Sequence, residues 1–131
     1  MKFKYSICHP NNSKNEYKNS IISAEEVLKI AKTYPWIDQL NLKGEHYNPS
    51  LDFTNIKNNQ SFCLTAEFND KNELEFSLWY NRLKKVKIFF GLFGEKEKMV
   101  VDDVWFFSKN ESIKYLEYFV NGNYSLLEKL Y

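Results

Sequence analysis

The sequence predicts an α+β domain, in which an antiparallel β-meander of four or five strands carries an N-terminal helix and C-terminal helices packed mainly on one face. Two observations predict this fold class. Apolar and polar residues alternate with a period of two through several segments separated by turn-forming residues, which is typical of antiparallel strands with one buried face. Two capping-box sequences, Ser23–Glu26 and Ser108–Glu111, each precede a segment with helical spacing of apolar residues.

The N-terminal half begins with a short strand followed by a capped helix. Alternation over residues 3–7 predicts the strand. The capping box at Ser23 predicts the start of the helix, and Pro35 ends it because proline cannot continue a helix. Residues 35–60 are the least regular part of the chain, and we expect one short strand there, at residues 51–56.

The second half contains the predicted meander. Four segments alternate with the same period, and we expect each to form one strand: residues 62–68, 74–80, 86–92 and 99–107. Turn-forming residues separate them, including Asn81–Arg82 between the second and third segments. The Ser108 capping box then begins a helix for which Gly122 is suited as the C-terminal cap, and Ser125 begins a short final helix.

The composition describes one domain over residues 1–131. This length is sufficient to bury a core without disulfide bonds or metal ions. Aromatic residues make up 18% of the chain, which excludes a disordered protein. No apolar stretch approaches the roughly 20 residues of a membrane-spanning helix. The N-terminus also lacks the apolar region of a signal peptide, so we expect a cytoplasmic protein.

The charge distribution argues against nucleic-acid and membrane partners. The formal net charge is +1, because 18 basic residues nearly balance 17 acidic ones. The one basic cluster is flanked by acidic residues, and we expect it to be a solvated strand face. Its members are Arg82, Lys84, Lys85 and Lys87.

Residue patterns that carry out catalysis or bind cofactors are absent from the sequence. Cys8 and Cys63 are the only cysteines, and we expect them to be reduced. Cys8, His9 and His46 lack the ligand spacing of a structural zinc site, so we expect no metal. The chain has no nucleophile elbow, P-loop or dinucleotide-binding motif. We therefore expect no catalytic residues, no cofactor and no enzymatic activity.

The sheet face opposite the core is the most informative feature of the sequence. Alternation places large aromatic and charged side chains there, whereas a face left to water is normally polar. Three interpretations are open: the N-terminal helix or residues 35–60 cover this face, another protein binds it, or it forms a small-molecule pocket. The second interpretation, with Trp79 and Phe89 as anchors, predicts six partner-binding residues: Glu67, Glu75, Trp79, Lys85, Lys87 and Phe89. Phe93 falls on the same face.

Two pairs of acidic residues suggest further hypotheses. Glu67 and Glu75 can face each other across a hairpin, as general acid–base catalysis requires, although such pairs are more often simply part of the surface. Asp102 and Asp103 point to opposite faces of one strand. The aspartate on the covered face needs a partner, such as a lysine on the neighbouring strand, unless a β-bulge or an edge position lets both reach water.

Three features carry a resemblance to a known class of proteins: the segment from Ser61 to Phe107, the aromatic content, and the ending from Leu116 to Tyr124. The chain resembles the small cytoplasmic immunity proteins of bacterial polymorphic and contact-dependent growth-inhibition toxin systems. The resemblance covers the C-terminal half and lies in general style, so it transfers no individual residue. It implies a non-enzymatic protein, a monomer or weak homodimer, that binds and neutralises a cognate toxin domain. Many such proteins that neutralise nucleases are strongly acidic, whereas this chain is not. The alternative is a small α+β ligand-binding or enzymatic domain with a pocket between helix and curved sheet.

Overall fold

The computed structural model describes residues 1–42, 47–87, 91–92 and 94–131. Within these residues the chain forms six strands and four helices. The strands are β1 (Lys2–Cys8), β2 (Glu16–Ser23), β3 (Ser50–Asn55), β4 (Ser61–Phe68), β5 (Leu74–Lys87) and β6 (Glu95–Phe107). The helices are α1 (Ala24–Thr33), α2 (Trp36–Leu40), α3 (Lys109–Val120) and α4 (Tyr124–Glu128). None of these helices has the length and apolar character needed to cross a membrane.

The strands form one antiparallel sheet in the order β2-β1-β3-β4-β5-β6. The predicted α+β class is confirmed, but the sheet has six strands instead of four or five. The extra strand, β2, is an exposed edge strand whose alternation is too weak to predict it. The predicted turn at Asn81–Arg82 is wrong, because both residues pair in regular register with β6. Backbone pairing therefore overrides the local preference for a turn, and β5 continues through residues 74–87. The separate strand predicted at residues 86–92 is wrong at its start, because residues 86 and 87 belong to β5; residues 88–90 lie outside the described residues.

The helices pack on one face of the sheet, where the core lies. Trp36 of α2 packs edge-on against Phe76 of β5, with ring centroids 5.0 Å apart. Phe119 of α3 lies 5.8 Å from Phe3 and 5.7 Å from Phe62 between ring centroids, so it joins strands at the centre of the sheet. Burying each such ring contributes roughly 2–3 kcal/mol. Most of the aromatic surplus in the composition therefore serves this core.

Both predicted capping boxes are confirmed. The Ser23 hydroxyl accepts a hydrogen bond from the Glu26 amide at 3.2 Å, and the Glu26 carboxylate accepts one from the Ser23 amide. Ser108 and Glu111 repeat the arrangement at the start of α3. Gly122 follows the last residues of α3 with a φ of +74°, a left-handed conformation that favours glycine. Local patterns therefore place the starts and ends of the two longer helices correctly.

A β-bulge near the end of β6 reverses the direction of its last side chains. The residues of β5 from Phe76 to Leu78 lie opposite a longer stretch of β6, from Phe107 back to Val104. Phe106 takes up the extra length with a φ of +73° and is 76% exposed. Regular alternation over the predicted strand 99–107 would place Phe107 on the same side as Trp105, but the bulge turns Phe107 back towards the helices.

Candidate partner-binding surface

The sheet face opposite the helices, here called the open face, is not covered in the described part of the chain. The buried residues of all four helices belong to the core on the other face. On the open face, Leu83 is 50% exposed and Val101 is 58% exposed. The interpretation in which the N-terminal helix or residues 35–60 cover this face is therefore wrong for the described residues: α1 and α2 pack on the opposite side, and β3 lies within the sheet.

The open face carries a contiguous group of apolar side chains on β5 and β6, which we call the apolar patch. Pairing places Leu83 opposite Met99, and the remaining members point to the same side of the two strands. A patch of roughly a few hundred Å² on a small protein commonly marks a contact site. The apolar patch consists of Trp79, Leu83, Met99, Val101 and Trp105.

Two tryptophans hold each other in place at one end of the apolar patch. The rings of Trp79 and Trp105 meet edge to face, with centroids 5.9 Å apart. The Trp79 indole donates a hydrogen bond to the hydroxyl of buried Ser77 at 3.0 Å, and the Trp105 indole donates one to the Asp103 carboxylate. Because both rings are oriented before any partner arrives, little side-chain entropy is lost on binding.

Charged residues of both signs surround the apolar patch. Glu67 lies directly opposite Glu75, as predicted, and the Asn69 side-chain amide donates a hydrogen bond to Glu75 at 2.8 Å. Along the other side, Lys85 lies opposite Glu97. Both glutamates are only partly exposed. They lie beside the turn between β4 and β5, where the hydrogen bond from Asn69 fixes the Glu75 carboxylate.

Four of the six predicted partner-binding residues lie on the open face as expected, namely Glu67, Glu75, Trp79 and Lys85. Lys87 lies opposite Glu95 in the register of β5 and β6. Phe89 and also Phe93 lie outside the described residues. The sequence prediction did not include Leu83, Met99, Val101 and Trp105. Treating residues 74–87 as one strand would have added Leu83. Alternation places Met99, Val101 and Trp105 on one side of residues 99–107, but only pairing with β5 shows that this side is the open face.

The single arginine of the chain holds the C-terminus against the sheet. Arg82 is only 2% exposed, so the expectation of a solvated face is wrong for this residue. Its guanidinium donates two hydrogen bonds to the Glu128 carboxylate, from Nε at 2.5 Å and from Nη2 at 3.0 Å. It donates a third hydrogen bond, from Nη1, to the Asp102 carboxylate at 2.8 Å. It lies between the rings of Tyr80 and Tyr131, at 4.8 and 5.2 Å from their centroids. We call these five residues the arginine clamp.

Asp102, on the helix side, has two basic partners on the neighbouring strand: Arg82 at 2.8 Å and, as predicted for a lysine, Lys84 at 3.8 Å. Its side chain is also 42% exposed at the edge of the sheet, so it reaches water as the alternative prediction expects. Asp103 faces the open side, as the alternation predicts. The hydrogen bonds from Arg82 lower the pKa of Glu128, and burial raises the pKa of Tyr131. The clamp therefore consists of a charged guanidinium, two carboxylates that accept its hydrogen bonds, and two neutral phenols.

The clamp lies where the sheet narrows. β4 pairs with β5 as far as Asn81, and the later residues of β5 pair with β6 in the described part of the chain. Residues 82–87 and 95–100 thus form a two-stranded extension, which we call the arm. Because Arg82 is the first residue of the arm and bonds α4, the clamp holds the base of the arm against the body of the domain.

A cavity of about 300 Å³, lined mainly by residues of polar type, lies on the open face at the other end of the sheet. Lys4, Tyr17 and Asp52 are among its lining residues. The Oδ1 atom of Asp52 is buried without a hydrogen-bond partner in the described structure, and burial raises the pKa of this carboxyl. The ligand-binding alternative predicts a pocket on the other face, between helix and sheet. A cavity of about 250 Å³ lies on that side next to the core, where Trp36, Leu74 and Lys109 are among its lining residues, so this alternative stays a prediction.

The cysteines and metal-binding side chains form no reactive centre among the described residues. Cys8 and Cys63 are both free thiols, as expected. Burial raises the pKa of Cys63 to about 12, which keeps this thiol protonated and unreactive. No group of three or more His, Cys, Asp or Glu side chains is placed to hold a metal ion in the part of the chain that the structure describes.

Comparison of this chain with protein-family models, with curated proteins and with solved structures finds no match. The functional argument therefore depends on the geometry of the chain itself.

Proposed function

We propose that this protein is a non-enzymatic protein-binding module, and specifically a bacterial immunity protein that binds and neutralises a cognate toxin domain in the cytoplasm. The observation that supports this function is the apolar patch on an open sheet face with no covering element among the described residues. An exposed group of this kind lowers solubility unless a partner buries it, so its presence favours a binding role.

The chemistry of the apolar patch suits a protein partner better than a small ligand. Interface centres are rich in tryptophan, methionine and arginine, with charged residues at the rim. Here Trp79 and Trp105 form the aromatic end of the patch, and the predicted residues Glu67 and Lys85 lie towards the rim with opposite charges. A small ligand requires a concave site that surrounds most of its surface, whereas the patch lies along the open side of β5 and β6.

The two tryptophans are the expected energetic centre of the interface. Truncation of a tryptophan at the centre of an interface typically costs about 2 kcal/mol or more of binding free energy. The rim charges contribute mainly to association rate and partner choice, because they remain near water. We therefore expect Trp79→Ala and Trp105→Ala to weaken binding far more than neutralisation of Glu67 or Lys85.

The test uses the product of the adjacent upstream gene as the candidate toxin. The toxin domain is co-expressed with this protein, and both co-purification and protection of growth are measured. Val101→Glu places a charge at the centre of the apolar patch, so we expect at least about tenfold weaker binding and loss of protection. Tyr17→Glu is the matched control, because Tyr17 is 73% exposed on the same face but at the far edge of the sheet.

Three outcomes contradict the proposal. In the first, the product of the upstream gene has no toxic domain and does not bind this protein. In the second, Val101→Glu and Tyr17→Glu have the same effect on binding and protection. In the third, Val101→Glu leaves the protection of growth intact. Circular dichroism of each variant shows whether the fold is retained. Light scattering of the isolated protein tests the remaining alternative, in which a second copy of the chain buries the apolar patch.

A further inference from the structure

The outer edge of β6 is the longest unpaired strand edge in the described structure. β6 spans Glu95–Phe107 and pairs with β5 on one side, and no strand lies on its other side among the described residues. The opposite edge of the sheet, β2 (Glu16–Ser23), is shorter. An edge of this length presents a row of unpaired backbone N–H and C=O groups that an extended segment of another protein can pair with.

The two faces of the arm differ in chemistry. On the open face, Met99 and, directly after the arm, Val101 belong to the apolar patch and lie on the edge strand β6. On the helix side, Lys84 lies directly opposite Lys98, and Lys96 follows on the same side of β6. Like charges directly opposite each other in a sheet destabilise it, so Lys84 and Lys98 have an unfavourable arrangement in the free protein, and Lys96 adds positive charge on the same side.

The basic side of the arm is only partly neutralised. Lys84 lies 3.8 Å from Asp102, but the same carboxylate oxygen accepts the hydrogen bond from Arg82. Neither Lys96 nor Lys98 forms an ion pair with any residue that the structure describes. An anionic group on the neighbouring strand would relieve the repulsion and add charge-assisted contacts.

From this edge and its two faces we infer that the partner adds a strand to β6, and that this strand is acidic on the helix side and apolar on the open side. The inference rests on the proposed protein-binding function and names the partner's chemistry. When the partner's strand pairs with β6, its acidic residues lie opposite Lys96 and Lys98, and its apolar residues lie opposite Met99 and Val101. The backbone bonds hold the strand, and its alternating side chains provide specificity.

A second copy of this chain fits the edge less well. Antiparallel pairing of β6 with itself about Val100 places Lys98 opposite Asp102, but it also places Glu97 opposite Asp103 on the open face. Asp102 is moreover already bonded to Arg82. A nucleic acid fits poorly too, because Glu95 and Glu97 alternate with the lysines along the same strand.

The probe is a capped peptide with the sequence Val-Thr-Val-Glu-Thr-Glu, which matches β6 in antiparallel register from Val101 back to Lys96. It is titrated at up to millimolar concentration into the full-length isotope-labelled protein, and amide signals are followed by NMR. We expect saturable shifts along β6, with no shifts along β2. A peptide with lysine in place of glutamate has the same strand-forming pattern and serves as the control.

Charge reversal on the protein makes the test specific. In the variant Lys96→Glu, Lys98→Glu we expect affinity for the acidic peptide to fall about tenfold and the lysine peptide to become the better ligand, because the charge complementarity is exchanged. Two N-methylated versions of the acidic peptide, offset by one residue, test backbone pairing. One should lose binding and the other retain it, because strand N–H groups point alternately towards and away from a neighbour.

Several results would overturn the inference: no binding at millimolar peptide, shifts confined to β2, equal effects of the two N-methyl positions, or an unchanged preference after charge reversal. Tighter binding of a DNA duplex at Lys96 and Lys98, or formation of a dimer through β6, would also overturn it. If the peptide fails while Val101→Glu still abolishes toxin binding, the added-strand inference is wrong and the proposed function stands. If the product of the upstream gene does not bind this protein while the peptide binds as expected, the assignment of a toxin as the partner is wrong.

Discussion

Replacement of Arg82 tests whether the arginine clamp stabilises the fold. Arg82 is 2% exposed and donates hydrogen bonds to Glu128, Asp102 and the Tyr80 carbonyl. Arg82→Ala removes the guanidinium and the buried hydrocarbon stem together. Arg82→Met keeps a stem of similar length and removes only the charge and the hydrogen bonds, so the two variants separate packing from polar interaction.

The burial of Arg82 and the exposure of its partners set how much packing and polar interaction each contribute to the free energy of unfolding. Loss of the buried stem costs roughly 2 kcal/mol, at about 0.8 kcal/mol for each methylene group. Hydrogen bonds to charged groups contribute about 1.5–3 kcal/mol each when fully buried. The carboxylates here are 36% and 42% exposed, so water replaces part of what they lose and the combined polar term falls to roughly 1–2 kcal/mol. We therefore expect a loss of about 3–4 kcal/mol for alanine and about 1–2 kcal/mol for methionine.

Urea unfolding followed by tryptophan fluorescence and circular dichroism measures both values. For a chain of this length, a loss of 3 kcal/mol corresponds to a fall in Tm of about 10–15 °C. A double-mutant cycle with Glu128→Gln should give a coupling energy of about 1 kcal/mol or more. The reasoning is refuted if Arg82→Met is as stable as the original protein, or if the cycle shows no coupling between the two residues.

Three further predictions concern pH and helix capping. The hydrogen bonds from Arg82 lower the pKa of Glu128 below its ordinary value of 4.5, so its contribution is present above that pH and is lost on acidification. The stability difference between the original protein and Glu128→Gln, measured by urea unfolding, should therefore shrink as pH falls towards about 3. Burial raises the pKa of Asp52 above 3.8, so Asp52→Asn should raise the Tm at neutral pH and give no gain below that value; an unchanged Tm at neutral pH contradicts this. Ser108→Ala should cost about 1 kcal/mol by removing the cap of α3, whereas Ser125→Ala, at an exposed site in α4, should cost much less in the same unfolding assay.

Functionally, the arginine clamp and the apolar patch are connected by the arm. Arg82 begins the arm on the helix side, and the next residue, Leu83, belongs to the apolar patch on the open side. A variant that loosens the clamp should therefore weaken partner binding even though Arg82 itself does not face the patch. This indirect effect distinguishes a positioning role from direct contact, because Arg82→Met should reduce affinity less than Val101→Glu does.

The candidate surface was partly predictable from the sequence. Alternation alone placed Glu67, Glu75, Trp79 and Lys85 on one face, since successive side chains of a strand point to opposite sides. It did not identify Leu83, because the predicted turn at residues 81–82 hid the continuity of β5, which comes from pairing with β6. It did not identify Val101, because alternation separates the two sides of a strand without showing which side faces the helices.

The sequence by itself determined the α+β class, both capping boxes and the division of strand residues between two faces, because periodicity and caps act among residues close together in the chain. Tertiary structure decided the partner of Asp102, the bulge at Phe106 and the absence of a covering element over the open face in the described residues. Each of these depends on register and packing between distant segments. Side chains that look equivalent in an alternating pattern therefore acquire different surroundings only when the sheet is assembled.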